Sequence, residues 1–503
     1  MERNKNMSQK EIKWPQHPTI YEINTWPWLK ELSESQGSEV DLLDIPEAIV
    51  DLDLSQFEVI WLMGVWERSP ESRKIAQEHP DLQKGYRTAL KNYKKEDIVG
   101  SPYAVYYYQV DYRLGGEEGL ALIREHLREQ GVLLILDYVP NHTAIDHLWT
   151  KENSEIYLQA TEEDLEKNPD DVFKANDTII WHGKDPYFYP WTDTAQINPF
   201  SNEARKKTID TLLDIGTKCD GVRCDMAMLL TNEVFTKTWN GKLDLPPAPE
   251  KDFWEEVIPA VKEQNPDFKF LGEVYWDMEW KLMQQGFDYC YDKTLYDRLK
   301  NETAKTIRAH LQADWSYQKH LIRFIENHDE MRAIKAFGKE RSKAGAILIL
   351  TLPGARLIHD GQMKGCRIKL PVQLGKRAYE EEDQELLEFY LRLINASPGK
   401  EFENGNWSLC KIDPIGGFSN TNLIAHIWTK EEHRRLTVVN YSPYPAKGHI
   451  KIPNIDYGEN DWSFGDLLNY ETFVYQGENL QNHGLYVELG AWKGHIFEIK
   501  KNK

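Results

Sequence analysis

Four short apolar runs, each ending on ionisable or amide residues, constrain this chain more than any other feature: LLILDYVPNH (133–142), GVRCDMAM (221–228), FLGEVYWD (270–277) and FIENHDEM (324–331). A run such as Leu133 to Leu136 is too short for a helix. Its unbroken apolar character is that of a strand buried on both faces, which belongs in a parallel sheet flanked by helices. In such sheets the carboxyl ends of the strands open into the ligand crevice, so side chains just past each run converge. The residues delivered there are Asn141, His142, Arg223, Asp225, Glu273, His328 and Asp329.

Three carboxylates meeting at one mouth repel one another and resist burial, a cost that chemistry can turn to use. Arg223, two residues before Asp225 and so on the same side of the strand, is expected to keep that carboxylate ionised. One carboxylate held charged and another pushed toward its protonated form is what glycosidic bond cleavage needs. Asp225 is then the nucleophile and Glu273 the acid. Taken singly, each residue has a plainer reading as a helix cap, a turn or a solvated surface group. The joint register of all of them favours the site.

The blocks DYVPNH, GVRCD, GEVYW and ENHD, in this order, resemble four signature regions of the α-amylase superfamily of glycoside hydrolases. The resemblance covers nearly the whole chain, with a first strand at TIYEINTW (19–26), a second at VIWLMGVW (59–66) and an all-β tail. It implies a (β/α)8 TIM barrel with a small domain inserted after strand 3 and a carboxy-terminal antiparallel β-sandwich. The corresponding spans are 1–142 and 199–398 for the barrel, 143–198 for the insert and 399–503 for the all-β part. By the same resemblance the reaction is a retaining double displacement on α-linked glucans or maltooligosaccharides. Asp225 would be the nucleophile, Glu273 the acid/base and Asp329 a transition-state stabiliser. Tyr103, His142 and His328 would hold the reacting sugar, and Arg223 would orient the nucleophile. A glucanotransferase using the same residues remains open, because either water or a sugar hydroxyl can resolve the intermediate. A catalytically silent glucan-binding protein is the remaining alternative.

Helical patterns alternate with the runs, as a βα barrel requires. EEGLALIREHLREQG (117–131) places Leu120, Ile123 and Leu127 on one face before the third strand. SNEARKKTIDTLLDIG (201–216) starts at a Ser cap and turns Ile209, Leu212 and Leu213 inward. In DFWEEVIPAVKEQ (252–264), Pro259 predicts a kink or an early stop. SKAGAILILTLPGARLIHDG (342–361) reads as helix, Pro-Gly turn and eighth strand. From about residue 400 short β runs with turn signals follow, namely LIAHIWT, RLTVVNYS, GHIKIP and GLYVELGAWKGHIFEI.

A net charge of −20 argues against nucleic acid and anionic membranes as partners, since both select clustered Lys and Arg. The segment MERNKNMSQKEIKW has no apolar core, so neither a leader nor a membrane anchor is expected there. Five cysteines without metal-like spacing point to reduced thiols and a cytoplasmic location, with Cys224 packed against the barrel wall.

The resemblance is not complete, and the departures bear on substrate and metal. In SPYAVYYYQVDYRLGG (101–116), Tyr103 matches a Tyr beneath the reacting sugar, while Tyr107 stands where many exo-acting relatives carry an Asp. That favours an open cleft for longer glucans. Asn141 is the residue through which a structural calcium would bind. The chain after Asp225 runs MAMLL, without the Lys-His pair usual in calcium-dependent amylases. A structural calcium is therefore the less favoured reading, and no cofactor is expected to be required. HDGQMKG (359–365) after the eighth strand leaves Asp360 and Lys364 without a role, and the loop beyond it is expected at the cleft rim or on the way to the last helix.

Overall fold

The computed structural model describes residues 12–45 and 56–502. Eight strands close into a barrel in chain order: β1 (Thr19–Asn24), β2 (Val59–Met63), β3 (Leu133–Tyr138), β4 (Gly221–Cys224), β5 (Lys269–Gly272), β6 (Tyr289–Tyr291), β7 (Leu321–Arg323) and β8 (Ala355–His359). All neighbours pair in parallel, and β1 bonds to both β2 and β8, which closes the ring.

The two-residue period of a strand explains what fills the ring and what lies outside it. Ile20, Val59, Trp61, Met63, Leu133, Ile135, Leu271, Tyr289, Tyr291, Ile322, Ala355 and Leu357 pack together as the barrel interior. Their alternates, including Ile23, Ile60, Leu62, Leu134, Leu136, Val222, Cys224, Phe270 and Ile358, join a second core with the surrounding helices. Cys224 therefore faces the helical layer, as expected. All five cysteines are unpaired, and only Cys366 is not buried.

The helices follow the sequence pattern closely. Helix α1 (Thr25–Gln36) starts directly after β1, so the first strand is two residues shorter than its apolar run suggested. The second run stops at Met63, where Gly64 takes φ 78°, and the chain continues into a separate two-stranded antiparallel sheet, Trp66–Arg68 against Val105–Val110. Helix α2 (Gly116–Glu129) buries Leu120, Ile123 and Leu127. Helix α3 (Asn202–Lys218) is capped by Ser201, whose hydroxyl accepts from Ala204 N–H, and it buries Leu212 and Ile215. Helix α4 (Phe253–Gln264) continues through Pro259 without the early stop. One lost backbone bond is outweighed there by the burial of Phe253, Trp254, Val257, Ile258 and Val261. Helix α5 (Lys339–Thr351) leads through a Pro-Gly turn to β8, and α6 (Gln384–Ala396) completes the outer layer.

Between β3 and β4 the long excursion forms two small antiparallel sheets. His142–Ala144 pairs with Thr194–Gln196, and Gln159–Ala160, Thr178–Trp181 and Val172–Ala175 form three strands. The carboxy-terminal part consists of a six-stranded and a three-stranded antiparallel sheet around their own core. Besides the runs read from sequence, it includes Asp461–Asp466 and Glu471–Gln476. It is fastened to the barrel by Trp428, whose indole N–H donates to Thr351 O at 2.8 Å, and by the Tyr441 hydroxyl, which donates to Leu299 O at 2.6 Å.

Among the described residues no helix is long and apolar enough to cross a membrane. The expectation for the amino-terminal segment falls mainly on residues 1–11, outside the described part.

Gly354 in the Pro-Gly turn has φ 96°, and a Cβ there would lie 2.2 Å from Leu321 O. Gly354→Ala should therefore destabilise the protein by more than about 2 kcal/mol, read from the urea midpoint. An unchanged midpoint would contradict this account of the turn.

Candidate active site

The inward alternates at the carboxyl ends of the strands are polar where the interior below them is apolar. Glu22 continues the register of Ile20, Asp137 that of Leu133 and Ile135, and Glu273 that of Leu271. Asp225 continues that of Arg223. The period that packs the barrel thus also aims its charges into one mouth.

Arg223 stands at the centre, 1% exposed. Its Nη1 donates to Asp225 Oδ1 at 2.7 Å. Its Nη2 lies 2.7 Å from Glu273 Oε2, a close ion pair without hydrogen-bond alignment, and 3.9 Å from Asp329 Oδ2. The guanidinium is walled by the rings of Tyr103, Trp61 and Tyr291 at 5.3, 5.4 and 5.7 Å from their centroids. Burial opposes its charge, but Glu273, Tyr291, Tyr103 and Asp225 hold its pKa well above the ordinary value. One buried cation therefore joins all three sequence-predicted carboxylates.

Asp225 and Glu273 are 6% and 3% exposed, whereas the Asp329 side chain is 42% exposed at the rim. Burial pushes the Asp225 carboxyl up to about 7, against the pull of Arg223 and with added repulsion from Glu273 and Asp329. Arg223 thus favours the ionised form, as read from the sequence, while burial and the neighbouring acids act against it. Desolvation and the neighbouring acids together outweigh the ion pair.

A second chain of contacts governs Asp329. His328 Nε2 lies 2.9 Å from Asp329 Oδ2 and 2.5 Å from the Tyr103 hydroxyl, and its Nδ1 lies 2.5 Å from Glu22 Oε1. Burial works against a charged imidazole here, but Asp329 and Glu22 on either side raise its pKa to about 10. Burial likewise opposes charge on Asp329, and His328, Arg223 and Lys369 reverse that and hold it well below the usual carboxylate range. Tyr103 stacks on His328 with ring centroids 5.6 Å apart, and the Trp61 indole meets His328 edge-on at 5.5 Å.

His142 and Asn141 are placed differently from the other residues. His142 Nε2 lies 3.1 Å from Tyr103 O and must carry the proton, so Nδ1 accepts from Asn141 Nδ2 at 3.3 Å. Burial lowers its pKa to about 4, so it is neutral, and both nitrogens serve the protein around Tyr103. Gln196 Nε2 donates to Asn141 Oδ1, to Asn141 O and to Ile197 O at 3.0, 3.0 and 2.9 Å. Three acceptors around one nitrogen fix the orientation of that amide. The oxygen that would ligate calcium thus faces an N–H. Among the described residues no group of three or more His, Cys, Asp or Glu could hold a metal ion. Calcium takes six to eight oxygen ligands, usually with carboxylates, whereas Asn141 Oδ1 is paired here with the Gln196 amide.

Several contributors were not singled out in the sequence. Glu22, Trp61 and Asp137 lie inside the strand runs, and their inward register was the signal for them. Asp137 accepts from Trp61 Nε1 and Gly64 N at 3.2 and 2.7 Å, and burial raises its pKa to about 6. The Tyr275 hydroxyl donates to Glu273 Oε1 at 2.6 Å. Lys369 donates to the Asp329 carbonyl, which puts the loop after β8 at the cleft rim. Asp360 accepts from the Tyr21 hydroxyl at 3.1 Å and from Arg377 at 2.6 Å, and Lys364 pairs with Glu382 at 2.5 Å. Both residues left unassigned therefore brace that loop. Tyr107 lies in the strand Val105–Val110, beside Tyr106 and His147.

The profile of the family described as "Alpha amylase, catalytic domain" matches residues 56–389. The chain belongs to the alpha-amylase family. This family member is 24% identical over 449 residues to alpha-amylase MalA of Haloarcula japonica, covering 86% of this chain but only 56% of that relative. It is 25% identical over 403 residues to alpha-amylase 3 of Dictyoglomus thermophilum, covering 74% of this chain and 68% of the relative. The solved alpha-amylase from Geobacillus thermoleovorans, complexed with acarbose, superposes with a TM-score of 0.67 at 16% identity, over 98% of this chain and 100% of that one. At that identity the likeness speaks for the fold.

The Asp225 value has a kinetic consequence. If Asp225 serves as a nucleophile it must be ionised, and kcat/KM should then fall about tenfold per pH unit as pH drops below about 7. A profile on maltoheptaose that stays flat down to pH 5 would show that Arg223 prevails over burial.

Proposed function

We propose that this protein is a retaining glycoside hydrolase of α-linked glucans or maltooligosaccharides, acting by double displacement. The observation that carries the proposal is the Arg223 guanidinium, with Asp225 and Glu273 at its two ends and Asp329 at 3.9 Å. In this reading Glu273 protonates the departing glycosidic oxygen while Asp225 attacks the anomeric carbon. Glu273 then takes a proton from water as water displaces Asp225. Asp329, kept ionised by His328, binds sugar hydroxyls and favours the positive charge that develops on the ring. Tyr103 supplies a ring face to the sugar. His142 supports this from behind by fixing the Tyr103 backbone.

Transfer to a sugar hydroxyl is the second reading, and one observation favours it. Trp276, three residues beyond Glu273, projects an exposed indole that meets the exposed ring of Tyr187 edge-on at 5.0 Å. Tyr187 is anchored by Lys237, which donates to its hydroxyl at 2.6 Å. Flat amphipathic rings next to the acid/base suit a sugar face on the leaving-group side, where an acceptor also binds. The location we infer is the cytoplasm, with the five unpaired cysteines in support.

The test is incubation with maltoheptaose, pullulan and trehalose, followed by chromatography of the products and their anomeric form. Retained configuration and shorter maltooligosaccharides are expected, and products longer than the substrate would mark transfer. Asp225→Ala should reduce turnover at least about 10⁴-fold with the melting temperature within a few degrees. Inverted products, or full activity of that variant, would overturn the reading.

We also propose that the fold needs no calcium. Chelation with EDTA should shift the melting temperature by less than about 2 °C, whereas a large drop would show a site that the Asn141–Gln196 amide pair conceals.

A further inference from the structure

The carboxyl group of Glu273 is gripped at both oxygens, and the two grips differ in chemistry. Oε2 accepts from Met226 N–H at 2.8 Å and lies 2.7 Å from Arg223 Nη2. Both of these groups can only donate, so Oε2 has no room for a proton of its own. Oε1 accepts from the Tyr275 hydroxyl at 2.6 Å. A hydroxyl can donate or accept, so Oε1 is the one oxygen whose partner tolerates either protonation state.

The backbone is arranged to hold this geometry. Met226, immediately after Asp225, has φ 41° and ψ 46°, a left-handed conformation that costs a residue with a side chain on the order of 1 kcal/mol. Its N–H donates to Glu273 at the start of that turn, and the turn carries the following chain back so that Ala227 also reaches Glu273. Glu273 N–H donates to Cys224 O, and Ala227 N–H donates to Glu273 O, each at 3.0 Å. The nucleophile segment and the acid/base segment are therefore tied together on both sides of the carboxyl. The Tyr275 ring packs against the main core. Burial, followed by the nearby Glu273 and Asp329, holds its own ionisation well above the ordinary value, so it retains its hydroxyl proton.

We propose that Tyr275 is a positioning residue for the acid/base, placing the transferable proton on Glu273 Oε1 and stabilising the carboxylate left behind. This rests on the glycosidase reading above. In the first step the Oε1–H bond breaks and its proton goes to the glycosidic oxygen. The bond from that oxygen to the anomeric carbon breaks, its electron pair stays on the oxygen, and an Asp225 oxygen bonds to the carbon. Tyr275 keeps its proton and turns its O–H toward the newly charged Oε1, forming a short charge-assisted bond. In the second step Oε1 takes a proton from water or a sugar hydroxyl, whose oxygen bonds to the anomeric carbon as the Asp225 ester bond breaks.

Tyr275→Phe removes one oxygen and keeps the ring, so the full-length variant tests this directly. The readout is turnover of maltoheptaose against α-maltosyl fluoride, because fluoride departs without a proton from Glu273. We expect kcat on maltoheptaose to fall about 10- to 100-fold with KM within about twofold, and kcat on maltosyl fluoride to change less than about threefold. Equal losses on both substrates would show a merely structural ring, and no loss on either would show an idle hydroxyl. Both outcomes overturn the proposal. A wild-type protein inactive on both substrates would instead remove the glycosidase reading itself.

Discussion

The buried guanidinium of Arg223 is the interaction on which the rest of the site depends. Placing carboxylates beside one another in a nearly dry barrel mouth is unfavourable unless a cation is shared among them. Arginine suits this better than lysine, because its planar fork offers separate nitrogens to separate acids and its faces pack on aromatic rings. Tyr103, Trp61 and Tyr291 supply those rings. The balance is close: desolvation of Asp225 is large enough to lift its carboxyl toward neutrality even with Arg223 at 2.7 Å. A group poised in this way responds to whatever enters the mouth, since a bound ligand changes both its hydration and the field around it.

Much of the architecture was legible in the sequence for a simple reason. Strands buried on both faces leave unbroken apolar runs, and helices on the outside leave one-sided patterns such as Leu120, Ile123 and Leu127. The mistakes fall where a single residue decides the local path. Gly64 ended the second strand three residues before its apolar run does, and Pro259 was absorbed by a helix whose apolar face held it in place. In the carboxy-terminal sheets, DWSFGD and ETFVYQ do alternate, with Trp462 and Phe464 inward, but each offers only two large apolar residues to that face and so stands out less than the longer runs.

The site was legible to a lesser degree. Residues past the strand ends stood out because charge follows an apolar run. Glu22 and Asp137 did not, since each lies inside its run and reads at first as an interruption of it. Their function depends on register around a closed ring, and that is a property of pairings between distant strands. Asn141 shows the opposite case. Its position suggested a metal ligand, and only the partner across the insert, Gln196, shows that its oxygen is already engaged.

The contact between Glu22 and His328 joins residues 306 positions apart in the chain. It requires the first strand and the seventh to lie in the same finished ring, which β8 alone brings about by bonding to both β1 and β7. Glu22 therefore braces the imidazole beside Asp329 only in the closed barrel, and no shorter segment of the chain contains that arrangement.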